Sequence, residues 1–323
     1  MSDMRYRQLG RSGLTVSVVG LGCNNIGRRL DLAATRAVVD AAIDVGVTLF
    51  DTADIYGTNR DGSSERLLGE ALGSRRGDIV LATKFGSDMA GGNGVDWGVR
   101  GSRRYLRRAV ESSLSRLGTD YIDLYQMHEP DRRTPIAETL SALDELVAEG
   151  KVRYIGCSNF AGWQVADADW TARSLGTERF ISAQNNYNLL EREVEAELVP
   201  ACERFGVGLL PFFPLANGLL TGKYRRGTPP AAGTRLVDKP DLLTDSSFDR
   251  VEALEKYAAE RGIPVLDVAI GGLAAQPAVA SVIAGATRPE QVRSNVAAGC
   301  WQPSAEDVAQ LDAIVPSPRP EVE

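Results

Sequence analysis

Four side chains in this sequence could pass a proton between them: the carboxylate of Asp51, the phenol of Tyr56, the ammonium of Lys84 and the imidazole of His128. Three of them close short apolar runs, with Leu49-Phe50 before Asp51, Val80-Leu81-Ala82 before Thr83-Lys84, and Leu124-Tyr125-Gln126-Met127 before His128. A phenol ionises near pH ~10, too high for ready exchange at neutrality, but a cation held beside it stabilises the phenolate and lowers that value. Lys84 can be this cation, and Asp51 can keep it charged and in place. His128 is the only histidine; as a neutral imidazole it can donate to a substrate oxygen beneath the phenol. Taken singly the residues carry little. An isolated Asp–Lys pair contributes little, a lone histidine is commonly structural, and a tyrosine before glycine is common in loops, so the argument rests on the four together.

Other polar residues follow the same kind of run: Thr52 and Asp54, Glu129, Ser158 and Asn159, Gln184 and Asn185. An ion or amide buried without a partner costs several kcal/mol, so these groups must be partners of one another or of a ligand.

The elements that would carry them recur. Apolar runs rich in β-branched residues occupy 16–21, 47–50, 79–82, 122–127, 152–155, 180–183, 207–210 and 279–283, eight runs at the spacing of strand–helix units. Between them lie helical patterns. Leu106, Ala109, Val110, Leu114 and Leu117 share a face, Ser102 caps the start and Gly118 stops the end. In the next pattern Thr134 caps, Pro135 takes the first position, Ile136, Leu140, Leu143 and Val147 form the stripe, and Gly150 ends it. Further helices are expected over 31–46, 63–72, 191–205, 247–262, 264–275 and 289–298. Eight strands each followed by a helix, with no linker, predict an α/β fold of the (β/α)₈ TIM-barrel type, residues 1–323 forming one domain. Gly10 and Gly13 within 6–16 predict an N-terminal β-hairpin capping the barrel floor. The irregular stretch 224–246, with Gly227, Pro229, Pro230, Gly233 and Pro240, reads as a lid over the active face. In such barrels chemistry stands at the C-terminal ends of the strands, where the polar residues above fall.

Composition narrows the partners. The 323 residues are 43% hydrophobic and 24% charged, with a net charge of −7, so a general role on nucleic acid or an anionic membrane is opposed. No apolar run reaches the ~18 residues of a membrane span, and residues 1–10 do not resemble a signal peptide, so a cytoplasmic protein is expected. Cys23, Cys157, Cys202 and Cys300 lie far apart without a C-x-x-C pair, which predicts reduced thiols and no metal site.

The segment Phe50-Asp51-Thr52-Ala53-Asp54-Ile55-Tyr56-Gly57, followed by Ser64-Glu65-Arg66-Leu67-Leu68-Gly69, resembles the signature of the aldo-keto reductases. So do Ala82-Thr83-Lys84, Tyr121-Ile122-Asp123-Leu124-Tyr125-Gln126-Met127-His128, Ile155-Gly156-Cys157-Ser158-Asn159 and Gln184-Asn185-Asn186-Tyr187-Asn188. The order and spacing agree over roughly residues 5–298. The resemblance implies NADPH-dependent reduction of a small-molecule aldehyde or ketone, with Asp51, Tyr56, Lys84 and His128 as the catalytic tetrad and Tyr56 the proton donor. It implies that Ser158, Asn159 and Gln184 hold the nicotinamide carboxamide and that an aromatic near the seventh strand's end stacks on the ring. Here Phe212-Phe213 replaces the commoner tyrosine–serine pair, so Phe212 takes the stack and a hydroxyl contact at Phe213 is lost.

The resemblance further assigns Leu215, Asn217 and Lys223 to the pyrophosphate. After the eighth run, Gly285, Thr287 and Arg288 lead into a helix whose N-terminus favours anions; Arg288 and Thr287 suit a 2′-phosphate, and Gln291 and Asn295 the adenosine end. A lysine near Gly285 and an arginine near Gln291, found in other branches, are absent. Asn24 and Trp97, with Cys23, Asn25 and the lid, are expected to line the substrate pocket. Two readings from other classes stay open: a non-catalytic regulatory subunit that keeps barrel and cofactor, and a lyase or isomerase using Lys84 as a Schiff base. No heptad or interface stripe indicates an oligomeric state.

Overall fold

The computed structural model describes residues 4–318; the ends of the expected 1–323 domain, 1–3 and 319–323, lie outside the described residues. The chain opens with the expected hairpin, β1 (Tyr6–Gln8) antiparallel to β2 (Thr15–Ser17). Gly10 at its turn has φ +60°, and a Cβ there would lie 2.5 Å from the Gly206 carbonyl oxygen. Only glycine allows the hairpin to lie this close against the N-terminal ends of the strands.

Eight parallel strands follow: β3 (Val19–Gly22), β4 (Leu49–Asp51), β5 (Val80–Phe85), β6 (Ile122–Met127), β7 (Val152–Ser158), β8 (Ser182–Gln184), β9 (Gly208–Leu209) and β10 (Val282–Gly285). Seven parallel ladders run in the order β10-β3-β4-β5-β6-β7-β8-β9. The ring closes between β9 and β10 through isolated bridges, Leu209 to Val279 and Phe212 to Ile283. There the Ala280 amide donates to Leu209 (2.9 Å) and the Ile283 amide to Pro211 (2.9 Å). This is the expected (β/α)₈ barrel.

Among the described residues ten α-helices surround it: α1 (Leu32–Asp44), α2 (Ser63–Leu72), α3 (Arg103–Leu117), α4 (Ile136–Ala148), α5 (Gly162–Leu175), α6 (Leu198–Phe205), α7 (Asp245–Glu260), α8 (Val265–Ala274), α9 (Pro289–Ala298) and α10 (Ala305–Ile314). None of the described helices is long and apolar enough to cross a membrane.

Two apolar clusters divide the core. The larger lies between strands and helices, with Phe50, Leu81, Tyr125 and Ile155 meeting Val39, Leu106, Leu143 and Val165. The smaller fills the barrel: Leu49, Ala82, Leu124, Leu210 and Ile283, with Leu9 and Val16 of the hairpin. Side chains alternate along a strand, so the next inward positions after Leu49, Ala82 and Leu124 are Asp51, Lys84 and Gln126. One layer up, the apolar interior becomes polar.

Several boundaries differ from expectation. The first run, 16–21, splits at Val18: Ser17 ends the hairpin, its hydroxyl donating to the Val19 carbonyl (2.7 Å) and accepting from the Thr48 amide (3.0 Å). The helix expected over 191–205 begins only at Leu198, because Pro200 fits a first turn and not a helix interior. Thr134 does not cap α4; Pro135 holds that position, and the Thr134 hydroxyl donates to Asp131 Oδ2 (2.7 Å). No helix was expected at α5, where exposed Trp163 and Trp170 obscure a stripe of Val165, Ala168 and Ala172.

Candidate active site

At the C-terminal ends of the strands the barrel opens into a cavity of about 990 Å³. Asp51 ends β4 and Lys84 lies within β5, both pointing into the barrel and both buried. Lys84 Nζ donates to Asp51 Oδ2 (2.6 Å), to the Thr52 carbonyl (2.9 Å) and, at longer range, to Tyr56 Oη (3.5 Å). The other carboxylate oxygen of Asp51 accepts from Gln126 Nε2 (3.1 Å) and Gln184 Nε2 (2.8 Å). A buried ion pair is tolerable only when its remaining hydrogen-bonding sites are also filled, and the two amides supply this. The His128 ring meets Tyr56 edge to face, with centroids 5.8 Å apart. Asp51, Tyr56 and His128 all line the cavity.

Charge states follow from burial and neighbours. Burial alone would lower the Lys84 pKa, but Asp51 and then Tyr56 outweigh it, and the net shift is upward. Lys84 is therefore an ammonium. Burial raises the Tyr56 pKa, and Lys84 only partly offsets that rise. The expectation that Lys84 brings this phenol below its ordinary value is corrected: desolvation is the larger effect, and Tyr56 is protonated at neutral pH. Burial, with Lys84 adding to it, pushes His128 down to about 3, so the imidazole is neutral. Its Nδ1 has no partner among the described residues. Cys23 also faces the cavity, but burial first, and Asp51 second, push its thiol well up, so it is not a nucleophile.

Beside the phenol, Ser158 and Gln184 end neighbouring strands and are paired in register. The Ser158 hydroxyl donates to the Gln184 carbonyl (2.8 Å), and Asn159 Nδ2 donates to the His128 carbonyl (3.0 Å). Asn159 holds φ +59°, a conformation that asparagine accepts more readily than most residues. All three line the cavity.

Across the opening stand Phe212 and Phe213, edge to face at 5.1 Å. Arg235 and Lys239, from the expected lid, place their cations 5.5 and 5.6 Å from the Phe213 ring centroid. The 224–246 stretch contains short 3₁₀ turns at Arg235–Asp238 and Pro240–Leu242. Arg235 Nη2 reaches Asn24 Oδ1 (3.4 Å) and Asn25 Oδ1 (3.1 Å), joining the lid to the loop after β3.

Leu215, Asn217, Lys223, Gly285, Thr287, Arg288, Gln291 and Asn295 line this half of the cavity, as does Asn24. Arg288 sits at the N-cap position of α9, while the Thr287 amide and hydroxyl both donate to Gln291 Oε1 (2.7 and 3.0 Å). Neither Lys223 nor Arg288 makes an ion pair among the described residues. No group of three or more His, Cys, Asp or Glu side chains suited to a metal occurs among the described residues.

Trp97 is not brought to the site. It is 64% exposed, does not line the cavity, and carries the Arg104 guanidinium 4.3 Å from its ring centroid. Sequence reasoning missed Gln126, Arg29 and Arg235. Gln126 was detectable, being two positions from Leu124 and so on the same inward face. The two arginines line the cavity through loops whose paths no periodicity reveals.

The chain matches the Aldo/keto reductase family over residues 18–316 and belongs to it. It is 38% identical to the uncharacterized oxidoreductase YrpG of Bacillus subtilis, covering 98% of this chain and 97% of that protein. It is 36% identical to a probable voltage-gated potassium channel subunit beta of Oryza sativa (97% and 97% covered). It is 35% identical to the L-glyceraldehyde 3-phosphate reductase of Escherichia coli K12 (96% and 92% covered). Membership of this family makes the chain an oxidoreductase of carbonyl compounds.

Proposed function

We propose that this chain, acting as one barrel domain, reduces an aldehyde or ketone to the alcohol with NADPH, and that Tyr56 supplies the proton. The observation that carries the reading is the continuous contact from Asp51 through Lys84 to Tyr56, with neutral His128 alongside, at the floor of one cavity. The cofactor fits the residues present: Lys223 and Arg288 offer cations without carboxylate partners among the described residues, and Phe212 offers a flat aromatic face on the wall of the same cavity. When bound, the nicotinamide supplies a hydride to the carbonyl carbon.

The protein's own groups do the rest. Tyr56, protonated at neutral pH, gives its proton to the carbonyl oxygen, and the phenolate left behind is held by the ammonium 3.5 Å away. The Tyr56 O–H bond breaks as the O–H bond of the alcohol forms, and solvent returns the proton afterwards. Neutral His128 keeps the oxygen beneath the phenol. Ser158, Asn159 and Gln184 orient the carboxamide, Leu215, Asn217 and Lys223 hold the pyrophosphate, and Thr287 with Arg288 takes the 2′-phosphate; Gln291 and Asn295 meet the adenosine. Gly285, at the end of β10, lines the same wall and presents its backbone to the cofactor.

Tyr56→Phe is expected to lower kcat for a nitrobenzaldehyde by about 10²–10⁴-fold while NADPH binding, followed by fluorescence, is kept. Full turnover by this variant would remove Tyr56 from the mechanism. A Schiff-base role for Lys84 is opposed by its charge, because an ammonium is not a nucleophile. The name of the rice relative raises a second reading, cofactor binding as a channel subunit; absence of turnover by the wild-type protein in the same assay would favour it.

A further inference from the structure

Behind the site, on the outer side of the barrel wall, a chain of buried and half-buried hydrogen bonds returns to the strand from which it starts. Thr83, adjacent to Lys84 and pointing outward, donates from its hydroxyl to Glu65 Oε1 of α2 (2.6 Å). Arg116 of α3 donates from Nε to Glu65 Oε2 (2.6 Å) and from Nη1 to Asn93 Oδ1 (3.2 Å). Asn93, in the loop after β5, donates from Nδ2 to Asp54 Oδ2 (2.8 Å). The Asp54 amide then donates to the Lys84 carbonyl (3.1 Å). Asp54, Glu65 and Thr83 are fully buried and Asn93 nearly so.

We propose that Asp54, Asn93, Arg116 and Glu65 are positioning residues, a closed ring that sets the Tyr56 phenol at its distance from the Lys84 ammonium; the inference rests on the function proposed above. The ring holds both sides of that distance. Through Thr83 it fixes the strand bearing Lys84, and through Asp54 it fixes the segment bearing Tyr56. Besides the ring contact with His128, Tyr56 is held by two backbone bonds: its amide donates to the Ala53 carbonyl (3.1 Å), and its carbonyl accepts from the Ser64 amide (3.2 Å). At 3.5 Å the Lys84–Tyr56 contact is at the limit of a hydrogen bond, so a small displacement of either segment breaks it.

The ring has two carboxyls and one guanidinium. Glu65 receives Arg116 and the Thr83 hydroxyl; Asp54 receives the neutral amide of Asn93, and its Oδ1 has no partner among the described residues. The groups facing Asp54 are Glu65 of α2, Arg116 and Tyr105 of α3, Tyr125 of β6, Asn93 and the Ile55 amide. Burial first, then Glu65, push the Asp54 carboxyl up to about 8, with Arg116 and Asn93 opposing. The ring is thus intact with Asp54 neutral. As pH rises through that value, a second buried anion forms beside Glu65.

The test is kcat for carbonyl reduction across pH 6 to pH 10 together with the NADPH Kd, for wild type, Asn93→Ala and Asp54→Asn. Asn93→Ala is expected to lower kcat by about 10- to 100-fold, as misplacement of a reacting group does, with Kd within about twofold. Asp54→Asn keeps the shape of the neutral carboxyl and cannot ionise. Its ratio of kcat at pH 9 to kcat at pH 7 is expected to exceed the wild-type ratio by at least about threefold, on the order expected when one ionisation is removed. A merely structural role would not move that ratio. If wild type turns over but the Asp54→Asn profile superimposes on it, or folded Asn93→Ala keeps its kcat, the ring proposal is overturned and the proposed function stands. If wild type binds NADPH and reduces no carbonyl, the proposed function fails and the ring proposal falls with it.

Discussion

The two halves of the cavity are built on opposite plans. On the Tyr56 side the buried charge is matched: Lys84 meets Asp51, and Gln126 and Gln184 complete Asp51, while behind the wall Arg116 meets Glu65. On the lid side Arg29, Lys223, Arg235 and Arg288 line the wall without a carboxylate partner among the described residues. The ion pair of the first arrangement is complete before any ligand arrives. The second has unspent positive charge, which suits a polyanionic ligand. Reacting groups lose effectiveness when they must reorganise, whereas a grip on phosphates can form as the ligand binds.

The largest effect should come from breaking the matched side. Lys84→Met strands Asp51 in the barrel, so about 3–5 kcal/mol of stability is expected to go along with about 10²–10⁴-fold in kcat. Urea unfolding and the nitrobenzaldehyde assay check the two losses, and a variant as stable as wild type would show that the pair is not what organises this side. On the lid side, Arg288→Ala should leave urea unfolding within about 0.5 kcal/mol of wild type. It should raise the NADPH Kd by about 10- to 100-fold, the range for a lost charged hydrogen bond, and leave the NADH Kd unchanged. An equal effect on both cofactors would detach Arg288 from the 2′-phosphate. The smallest effect is reserved for Trp97, outside both halves: Trp97→Ala should keep kcat/KM and stability within about twofold and about 0.5 kcal/mol. A tenfold loss in kcat/KM would return Trp97 to the substrate pocket.

The legible parts of the sequence were those governed by local rules. Strand periodicity locates the barrel, and the polar residues at the ends of its second to sixth runs include Asp51, Lys84, His128, Ser158 and Gln184. Two runs end later than their apolar pattern, because a strand continues past its last apolar residue: β8 runs on to Gln184 and β10 to Gly285, both of which the sequence places at the site but outside the strands. What remained hidden depends on long-range packing. The ring through Asp54, Glu65, Asn93 and Arg116 draws on two helices and two loops, and no spacing in the chain brings them together. The Tyr56 pKa was misjudged for a related reason, since sequence proximity suggests a neighbouring charge but says nothing of how much solvent has been removed. Trp97, in a glycine-rich loop, reads as available to a ligand because no local pattern shows that its loop stays outside the cavity and rests beside Arg104 of the following helix.

The join between β9 and β10 has a further consequence. Elsewhere around the cylinder neighbouring strands are stitched by continuous ladders; here the stitching is a few isolated bridges. Phe212, Leu215 and Lys223 stand to one side of that gap and Gly285 and Arg288 to the other, so a dinucleotide spanning them would serve as a rivet. In the holoenzyme proposed above, the reagent would also be a strut, and the barrel's resistance to opening would depend on how much of it is supplied.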